Sequence, residues 1–396
     1  MRVGRRRVRK ASGRSRLWWR IALTAALAAV LLLLSSRSVH EETGATRLIA
    51  PGVVYAQVRT ADGPHEVRVL RIRRDEPTAQ VDVGMAQGVL AGLAPLSGIV
   101  RAETGRGAPI VAAVNGDFFR MVGQSREGAV FGMTVCGREL VKIGRHDECF
   151  YLTDAGTPGI GILDVEGSVV SGKLRSPIVG LNNPSTRNGV TLYTRTWGWA
   201  VDDASVVCEL VGGPLRSKGR WNARVVEAVG AGSGRVPQTD EVFLCPHGSH
   251  RAGVLGLAVG SEVSIDLSAS GLDAPMAAAV GGNWPLLDGG RIVTPRRSLM
   301  SKRHPRTAVG YSKDEIVLLT CDGRQPQWST GLFLDELAQL MLDLGCTDAL
   351  NLDGGGSTTM WVDGEVVNHP SDGRERPIGN AVLVRSSGVA AATGGR

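Results

Sequence analysis

Two kinds of hydrophobic pattern occur along the chain from about residue 50 onward. Residues 66–72 alternate apolar and polar side chains, which is typical of a strand with one buried face. Continuous apolar runs at residues 111–114 and 315–321 predict strands buried on both faces. The sequence of residues 50–386 shows neither an internal repeat nor a long low-complexity linker. The pattern therefore predicts one domain over residues 49–386, rich in short strands and turns.

A helical pattern follows the apolar run at residues 315–321. Apolar side chains recur there at helical spacing, at Leu334, Leu337, Ala338 and Met341. Gly345 fits the left-handed stop of this helix, and a second apolar strand follows at residues 348–352. Such a succession predicts two parallel strands joined by a right-handed crossover. The predicted fold class is α+β, a mixed β-sheet domain with a parallel strand–helix–strand unit near the carboxyl terminus.

The amino terminus is basic and then apolar. Residues 1–16 are rich in arginine, and residues 17–34 hold two tryptophans followed by fourteen uncharged residues. Fourteen residues rise about 21 Å as a helix, short of a ~30 Å hydrocarbon core unless flanking residues extend the span. We predict one N-terminal helix, either an uncleaved transmembrane signal anchor or a cleaved signal peptide. A polar linker over residues 35–48 follows it, and residues 387–396 are predicted to be a flexible tail.

Either form of the N-terminal helix places the main domain outside the cytoplasm, held at the cell membrane or secreted. The six cysteines fit that location, because an even number without a Cys-x-x-Cys pair favours disulfides over a thiolate metal site. Six cysteines allow about 15 pairings. Proximity along the chain suggests the pairs Cys136–Cys149, Cys208–Cys245 and Cys321–Cys346. No metal site is predicted, since Cys245 and its neighbouring histidines lack a second cysteine at zinc-finger spacing.

The charge distribution argues against nucleic acid as a partner. The formal net charge is +7, but the first twenty residues hold nine basic side chains and no acidic ones. The remaining residues carry 36 basic and 38 acidic side chains. Nucleic-acid binding requires basic side chains in excess to neutralise phosphates. The positive charge at the amino terminus instead favours retention of that end on the cytoplasmic side of the membrane.

Two aspartates directly follow the two strands of the predicted parallel unit. Asp322 comes after residues 315–321 and Asp353 after residues 348–352, at the sheet edge where open α/β sheets bind ligands. Two carboxylates in one cleft suit acid/base catalysis at a glycosidic bond. Their separation would distinguish a retaining reaction, at about 5–5.5 Å, from an inverting one, at about 6.5–9.5 Å, and the sequence leaves this open. The alternative for an Asp-Gly pair is an ordinary turn.

A glycine-rich loop follows the second of these aspartates. Its backbone N–H groups and hydroxyls suit phosphate oxygens, and it comprises Gly354, Gly355, Gly356, Ser357 and Thr358. A Walker loop or dinucleotide fingerprint requires a helix next, whereas a β-hairpin is predicted here. The alternative for the glycines is a tight bend.

Two further segments bring polar groups to strand ends. Asn115 and Asp117 follow the apolar run at residues 111–114, and Arg306 and Thr307 open another strand. An arginine at such a position binds phosphate in a bidentate manner, and its alternative is a solvated side chain.

These segments together resemble the phosphodiester glycosidase family. The resemblance runs in order through most of residues 50–386, at residues 115–119, 182–193, 306–310, 322–324 and, most specifically, at the Asn-Leu-Asp-Gly-Gly-Gly-Ser-Thr sequence of residues 351–358. It implies hydrolysis of an α-linked sugar 1-phosphodiester at the anomeric bond, a mixed α+β fold and no obligatory metal. Asp117 departs from the family, which commonly has a small residue such as glycine there. A carboxylate at the pocket would repel a phosphate.

We therefore expect an extracytoplasmic glycosidase that acts on a GlcNAc-1-phosphodiester-like bond in envelope glycan material. The expected catalytic pair is Asp353 and Asp322, without a cofactor or metal. The expected substrate-binding residues are Arg306, Thr307, Asn115, Asp117, Arg324, Gly354, Gly355, Gly356, Ser357 and Thr358. One alternative is a noncatalytic glycan-binding envelope protein of the same fold. Another is a metal-dependent phosphodiesterase that cuts the phosphate side and releases a sugar phosphate.

Overall fold

The computed structural model describes residues 41–60, 63–121, 123–144, 148–294 and 302–388. The predicted basic segment and N-terminal helix lie outside the described residues, as does the predicted tail from residue 389 onward. No helix within the described ranges combines the length and the apolar character that crossing a bilayer requires.

Strands are the main regular structure of the described chain. In chain order they are β1 (Glu41–Ala50), β2 (Val53–Thr60), β3 (His65–Arg73), β4 (Ala79–Met85), β5 (Ile110–Asn115), β6 (Thr134–Cys136), β7 (Glu139–Lys142), β8 (Glu148–Thr153), β9 (Pro158–Ile162), β10 (Val165–Ser171), β11 (Leu174–Leu181), β12 (Gly189–Thr194), β13 (Ser205–Val211), β14 (Lys218–Val229), β15 (Glu241–His247), β16 (Glu262–Ala269), β17 (Met276–Gly281), β18 (Pro285–Asp288), β19 (Arg291–Ile292), β20 (Arg306–Tyr311), β21 (Glu315–Cys321), β22 (Asp348–Asn351), β23 (Met360–Val362), β24 (Glu365–Val366) and β25 (Asn380–Ser386). The α-helices are α1 (Leu96–Glu103), α2 (Arg251–Leu255) and α3 (Leu334–Asp343).

The strands form three open sheets and one closed barrel. The largest sheet has the order β1-β2-β3-β21-β20-β22-β18-β19, and the two five-stranded sheets have the orders β24-β23-β5-β25-β4 and β7-β6-β17-β8-β9. The barrel has seven strands in the order β10-β11-β12-β15-β13-β14-β16. Among the described strands, β11 and β12 form the one parallel pair. The fold is therefore dominated by antiparallel pairing.

The predicted α+β fold class is wrong. The described chain is mainly β, and the predicted parallel strand–helix–strand unit does not form, because β20 lies between β21 and β22 and is antiparallel to both. The reason is local. A short turn joins β20 to β21, so these strands close as a hairpin at a lower loop-closure cost than a crossover. The hairpin occupies the position beside β21 that a crossover strand would have taken.

Apolar side chains pack on both faces of the eight-stranded sheet. On one face, Leu70 and Leu318 pack with Val114 and Val382 of the five-stranded sheet that contains β5. On the other face, α3 contributes Leu337 to a separate cluster. Each fully buried aliphatic side chain contributes about 1.5–3 kcal/mol. The two strand ends that carry Asp322 and Asp353 are thus fixed from both sides.

The predicted disulfides do not form, because each of the six cysteines has a free thiol. The first pair fails on distance. Cys136 lies on β6 and Cys149 on β8, and β17 lies between these strands. Two strand spacings amount to roughly 9–10 Å, beyond the ~7 Å between Cα atoms that a disulfide tolerates.

The other two predicted pairs fail on register. Cys208 on β13 lies opposite Val242 of β15, three residues away from Cys245. Cys321 ends β21, whereas Cys346 precedes β22, which runs in the same direction, so these thiols lie towards opposite edges of the sheet. Proximity along the sequence therefore gave no guide to proximity in space.

Candidate active site

Three strand ends of the large sheet bring the predicted site residues to one edge. Because β21 and β22 are both antiparallel to β20, their carboxyl ends lie at the same edge as the amino end of β20. Asp322 directly follows β21, Asp353 follows β22 by two residues, and Arg306 begins β20. The prediction that these residues share an edge is compatible with this arrangement, although the predicted parallel pairing is not.

Asn115, at the end of β5, joins the two facing sheets at this edge. Its Nδ2 donates a hydrogen bond to the backbone carbonyl of Asp353 over 2.7 Å. Its Oδ1 accepts from the hydroxyl of Thr307 at 2.7 Å and from the backbone N–H of Thr359 at 3.1 Å. Asn115 and Thr307 are fully buried. Both were predicted to bind substrate, and the structure shows them holding the loop that carries Asp353.

Asp353 lies in a partly buried position at the start of the glycine-rich loop. Its backbone N–H donates to the carbonyl of Gly116 at 3.0 Å, and its Oδ1 accepts the N–H of Gly354 at 2.8 Å. Burial raises the pKa of Asp353 to about 6, against the lowering effects of Ser357, Gly354 and Arg376. A carboxyl with this pKa exchanges its proton near neutral pH, as an acid/base catalyst requires.

Asp117 is a second carboxyl with a raised pKa. It is 3% exposed, and its Oδ2 accepts the backbone N–H of Gly132 at 2.7 Å. The pKa of Asp117 is raised to about 7, chiefly by burial and to a smaller extent by the charge of Asp353, while the Gly132 hydrogen bond and Lys142 act in the lowering direction. The backbone N–H of Asp353 binds the carbonyl of Gly116, the neighbour of Asp117, so the two aspartates lie on adjoining segments. Two neighbouring carboxyls with raised pKa values are typical of acid/base sites.

Two glycines let the backbone approach the Asp117 carboxyl closely. A Cβ at position 281 would lie 2.5 Å from Oδ2 of Asp117 and 2.6 Å from the Cα of Gly132. A Cβ at position 132 would lie 3.2 Å from the same oxygen. Gly132 and Gly281 therefore permit the close packing that buries Asp117.

Asp117 lines a cavity of about 440 Å³, which we call the sugar cavity. Phe118 and Trp197 give it aromatic surface, and Lys142 and Asn182 add polar groups. The indole Nε1 of Trp197 is buried without a hydrogen-bond partner among the described residues. An aromatic wall with a few polar groups and an unused donor suits a sugar ring, and the volume is within the ~300–1,000 Å³ range of small-ligand sites.

Asp322 differs from the other two aspartates because hydrogen bonds occupy both of its carboxylate oxygens. Oδ1 accepts from the side-chain amide of Asn368 at 2.9 Å and from the N–H of His369 at 3.1 Å. Oδ2 accepts from the indole of Trp328 at 3.0 Å and lies 3.5 Å from Nη1 of Arg68. The side chain is buried. This environment favours a structural role for Asp322, in which it anchors the segments that carry Trp328 and His369.

Arg306 is buried and keeps unused hydrogen-bonding capacity. Its Nε donates to the carbonyl of Leu332 at 3.1 Å, and its Nη2 has no hydrogen-bond partner among the described residues. Burial, followed by the charge of Arg324, lowers the pKa of Arg306 to about 10. The register of β20 and β22, in which Ala308 faces Asn351, extends to place Arg306 opposite position 353. A buried guanidinium with a free donor beside Asp353 suits an anion.

Two more arginines lie against the glycine-rich loop. The guanidinium of Arg324 is so close to Gly355 that a Cβ there would lie 2.9 Å from Nη2. Arg376 packs against Gly356 in the same way, pairs with Asp372 at 2.8 Å, and donates to Oγ of Ser357 at 3.5 Å. Arg376 was missed from the sequence, where its only signal was an arginine-containing segment after the glycine loop.

Most N–H groups of the glycine-rich loop form hydrogen bonds within the protein. Their acceptors are Oδ1 of Asp353 for Gly354, the carbonyl of Pro305 for Gly355, the carbonyl of Gly354 for Ser357 and the carbonyl of Gly355 for Thr358. The loop therefore offers few backbone donors to a phosphate, contrary to what its sequence suggested. Its glycines instead admit Arg324 and Arg376, whose guanidinium groups supply the positive charge.

Asn351 is a further polar residue that was not predicted to belong to the site. It is fully buried on β22, and neither its Oδ1 nor its Nδ2 has a hydrogen-bond partner among the described residues. Its register partner Ala308 lies two residues from Arg306 on the same strand, so both polar side chains project from the same face of the sheet. Their unused polar atoms are costly unless a ligand or water satisfies them.

Across the described residues, no group of three His, Cys, Asp or Glu side chains is arranged to hold a metal ion.

Comparison with known proteins identifies a family for the second half of the chain. The sequence model described as phosphodiester glycosidase matches residues 217–385, which include Arg306, Asp322 and Asp353. The bovine N-acetylglucosamine-1-phosphodiester alpha-N-acetylglucosaminidase is 44% identical over 68 residues, which are 17% of this chain and 12% of that protein. The prophage-derived protein YomE of Bacillus subtilis is 37% identical over 86 residues, which are 22% of this chain and 13% of that protein.

The matched segments are short, and the chain spans about an eighth of the length of these two relatives. Among solved structures, a hypothetical protein from Synechocystis superposes with a TM-score of 0.68 at 21% identity, covering 89% of this chain and 64% of that one. This likeness shows that the two chains share a fold.

Proposed function

Because the chain belongs to the phosphodiester glycosidase family, we propose that it is a hydrolase that cleaves the anomeric bond of an α-linked sugar 1-phosphodiester. The observation that carries this proposal is the placement of Asp353. Its backbone N–H binds Gly116, beside Asp117 and the sugar cavity, and the register of β20 and β22 places Arg306 with its free donor opposite it. A GlcNAc-1-phosphodiester-like substrate fits the family resemblance and the size of the cavity.

Burial raises the pKa of both carboxyls towards neutral pH, so each can hold or release a proton there. In the proposed reaction, Asp353 is the ionised carboxyl and Asp117 the protonated one. In the proposed reaction, the C1–O bond breaks and its electron pair passes to the phosphate oxygen. A water oxygen bonds to C1, and the carboxylate of Asp353 accepts the proton that this water loses. Protonated Asp117 donates a hydrogen bond to the bound sugar.

The arginines act on the leaving group. The phosphodiester carries one negative charge, and the departing phosphomonoester gains a second as the bond breaks. Arg306, Arg324 and Arg376 supply positive charge where this second charge develops, and such preorganised charge lowers the barrier. Repulsion by Asp117 is weak in this arrangement, because that carboxyl is largely neutral below about pH 7.

An extracytoplasmic location and an envelope glycan substrate are part of the proposal. They are supported by the basic and then apolar sequence of residues 1–34, which is typical of an exported or anchored chain. Detection of the domain on the outer face of intact cells by protease accessibility would test the location.

Release of free sugar tests the activity directly. The full chain is incubated with the methyl phosphodiester of α-GlcNAc 1-phosphate, and reducing sugar and methyl phosphate are measured. The wild-type protein is expected to release both, and Asp353→Asn is expected to release neither while unfolding at an unchanged or higher temperature. Asp363→Asn, in an exposed turn, is the matched control. Saturable binding without release, or GlcNAc 1-phosphate as the product, would contradict the proposal.

A further inference from the structure

A second, larger cleft opens beside the sugar cavity on the surface of the barrel. Its volume is about 1230 Å³, and we call it the barrel cleft. Its walls come from the ends of β10, β11 and β15 and from the segment between β11 and β12. The sugar cavity and the barrel cleft share Arg126, Asn183 and Pro184 in their linings, so that the two spaces adjoin at these residues.

The barrel cleft adjoins the sugar cavity. The cavity, and not the cleft, is lined by Asp117, whose neighbour Gly116 accepts the backbone N–H of Asp353. The three arginines proposed to bind phosphate, Arg306, Arg324 and Arg376, line neither the cavity nor the cleft. With the leaving phosphate on the arginine side, the cleft extends from the side that holds the sugar.

The chemistry of the barrel cleft favours a hydroxyl-rich chain. Asp203 and Glu166 bring carboxylates that accept hydroxyl donors, and Arg187 brings a guanidinium that donates to hydroxyl or ring oxygens. All three side chains are exposed. A polyanion would meet the carboxylates, and a lipid chain would desolvate these charges. The volume also exceeds the ~300–1,000 Å³ of ordinary small-ligand pockets, which indicates several sugar units rather than one.

The junction between the two spaces is itself suited to a saccharide. The guanidinium carbon of Arg126 lies 5.4 Å from the ring centroid of Trp197, so the cation covers the aromatic wall where the cavity meets the cleft. Trp197 itself lines the cavity at this junction, beside Arg126, which lines both spaces.

We propose that the sugar cleaved from phosphate is the reducing end of an oligosaccharide, whose remaining units occupy the barrel cleft. The substrate class is thus an oligosaccharyl or polysaccharyl 1-phosphodiester. This inference rests on the proposed function, because it takes the position of the cleaved bond from it.

The test compares two substrates that differ only in chain length. They are the methyl phosphodiesters of α-GlcNAc 1-phosphate and of the corresponding β-1,4-linked GlcNAc tetrasaccharide 1-phosphate. The wild-type protein is expected to favour the tetrasaccharide by about tenfold or more in kcat/KM, since additional subsites add binding energy. Equal values for the two substrates would overturn the inference and leave the proposed function intact. Failure to cleave either substrate would remove the proposed function, and this inference with it.

Two variants locate the preference in the cleft. Thr186→Trp fills the cleft from an exposed loop position, and Arg187→Ala removes a donor from its wall. Both are expected to lower the ratio of tetrasaccharide to monosaccharide kcat/KM towards one. Arg101→Ala, an exposed arginine on α1 away from both spaces, is the matched control and should keep the wild-type ratio. A wild-type ratio in both folded cleft variants would contradict the assignment.

Discussion

The side-chain amide of Asn115 donates a hydrogen bond to the backbone carbonyl of Asp353 over 2.7 Å, linking the ends of strands from two different sheets. The other end of the amide accepts two hydrogen bonds, so the group has a fixed orientation. The position of the Asp353 carboxyl is therefore set by a residue more than two hundred positions earlier in the chain.

Asn115→Ala is expected to lower kcat by about 10–100-fold, because even a 1 Å misplacement of a catalytic group can cost about 100-fold. The free energy of unfolding should fall by about 1–3 kcal/mol through the unsatisfied partners. Steady-state kinetics and urea unfolding measure the two effects. Asn222→Ala, at an exposed position on β14, is the control. A stable Asn115→Ala variant with unchanged kcat would show that the loop does not depend on this amide.

Asp117 should make the stability of the domain depend on pH. Its folded pKa of about 7 lies above the ordinary value of 3.8, so the folded chain binds the proton more tightly than the unfolded chain does. The resulting stabilisation is complete below about pH 3.8 and is lost as the pH rises through about 7. Between pH 5 and 8, this group alone is expected to remove about 2–3 kcal/mol.

Asp117→Asn carries no such charge and should therefore gain stability over the wild type at pH 8 more than at pH 5. Urea unfolding of both proteins at the two pH values measures the difference. The same variant should lose the alkaline limb of the pH–rate profile, which in the wild type is expected to fall above about pH 7. An identical pH dependence of stability in both proteins would show that the pKa of Asp117 is not raised in the folded protein.

Asp322 and Asp353 should respond differently to the same substitution. Asp322→Asn weakens one of the two carboxylate contacts of the buried Arg68, which keeps Glu66 at 3.4 Å, so it is expected to cost less than the about 3–5 kcal/mol of a fully broken buried pair and still to lower stability. Asp353→Asn removes a carboxyl whose charge is disfavoured by burial, so it should not lower stability at neutral pH. Thermal unfolding of the two variants distinguishes the roles. A fully stable but inactive Asp322→Asn protein would instead support the catalytic role predicted from the sequence.

Arg306→Lys tests the phosphate site while keeping the positive charge. Lysine lacks the planar arrangement of donors, so the free Nη2 position of Arg306 is not reproduced. Inhibition by inorganic phosphate is expected to weaken by about tenfold or more, in line with the loss of a hydrogen bond to a charged group. Arg101→Lys is the matched control. If phosphate binds the Arg306→Lys and wild-type proteins equally well, the anion lies elsewhere.

Local sequence patterns predicted individual elements well and their partners poorly. Residues 315–321 form β21 and residues 334–343 form α3, as their apolar spacing indicates. The insertion of β20 between β21 and β22 depends on pairing between separate strands, and no periodicity within a single element records that. The closed barrel was not anticipated for the same reason, since it joins strands over residues 165–269.

The candidate site was likewise predicted where a short segment carries the signal and missed where distant segments form it. The signature around Asp353 identified its loop, because glycines and hydroxyls leave a local trace. Trp197 was not found, since its role depends on an empty space formed by distant segments. Asp117 was recognised as unusual for the family, but its proton affinity arises from residues that approach it only in the folded chain.

Gly132 and Gly281 affect the proton affinity of Asp117. Neither has a side chain, yet their close approach is what keeps solvent from that carboxyl and sets how tightly it holds a proton. The pKa of Asp117 therefore depends on three residues together, the aspartate and the two glycines. In a related chain that retains the aspartate but carries alanine at either glycine position, the pKa of the aspartate should differ, and the pH dependence of the reaction should differ with it.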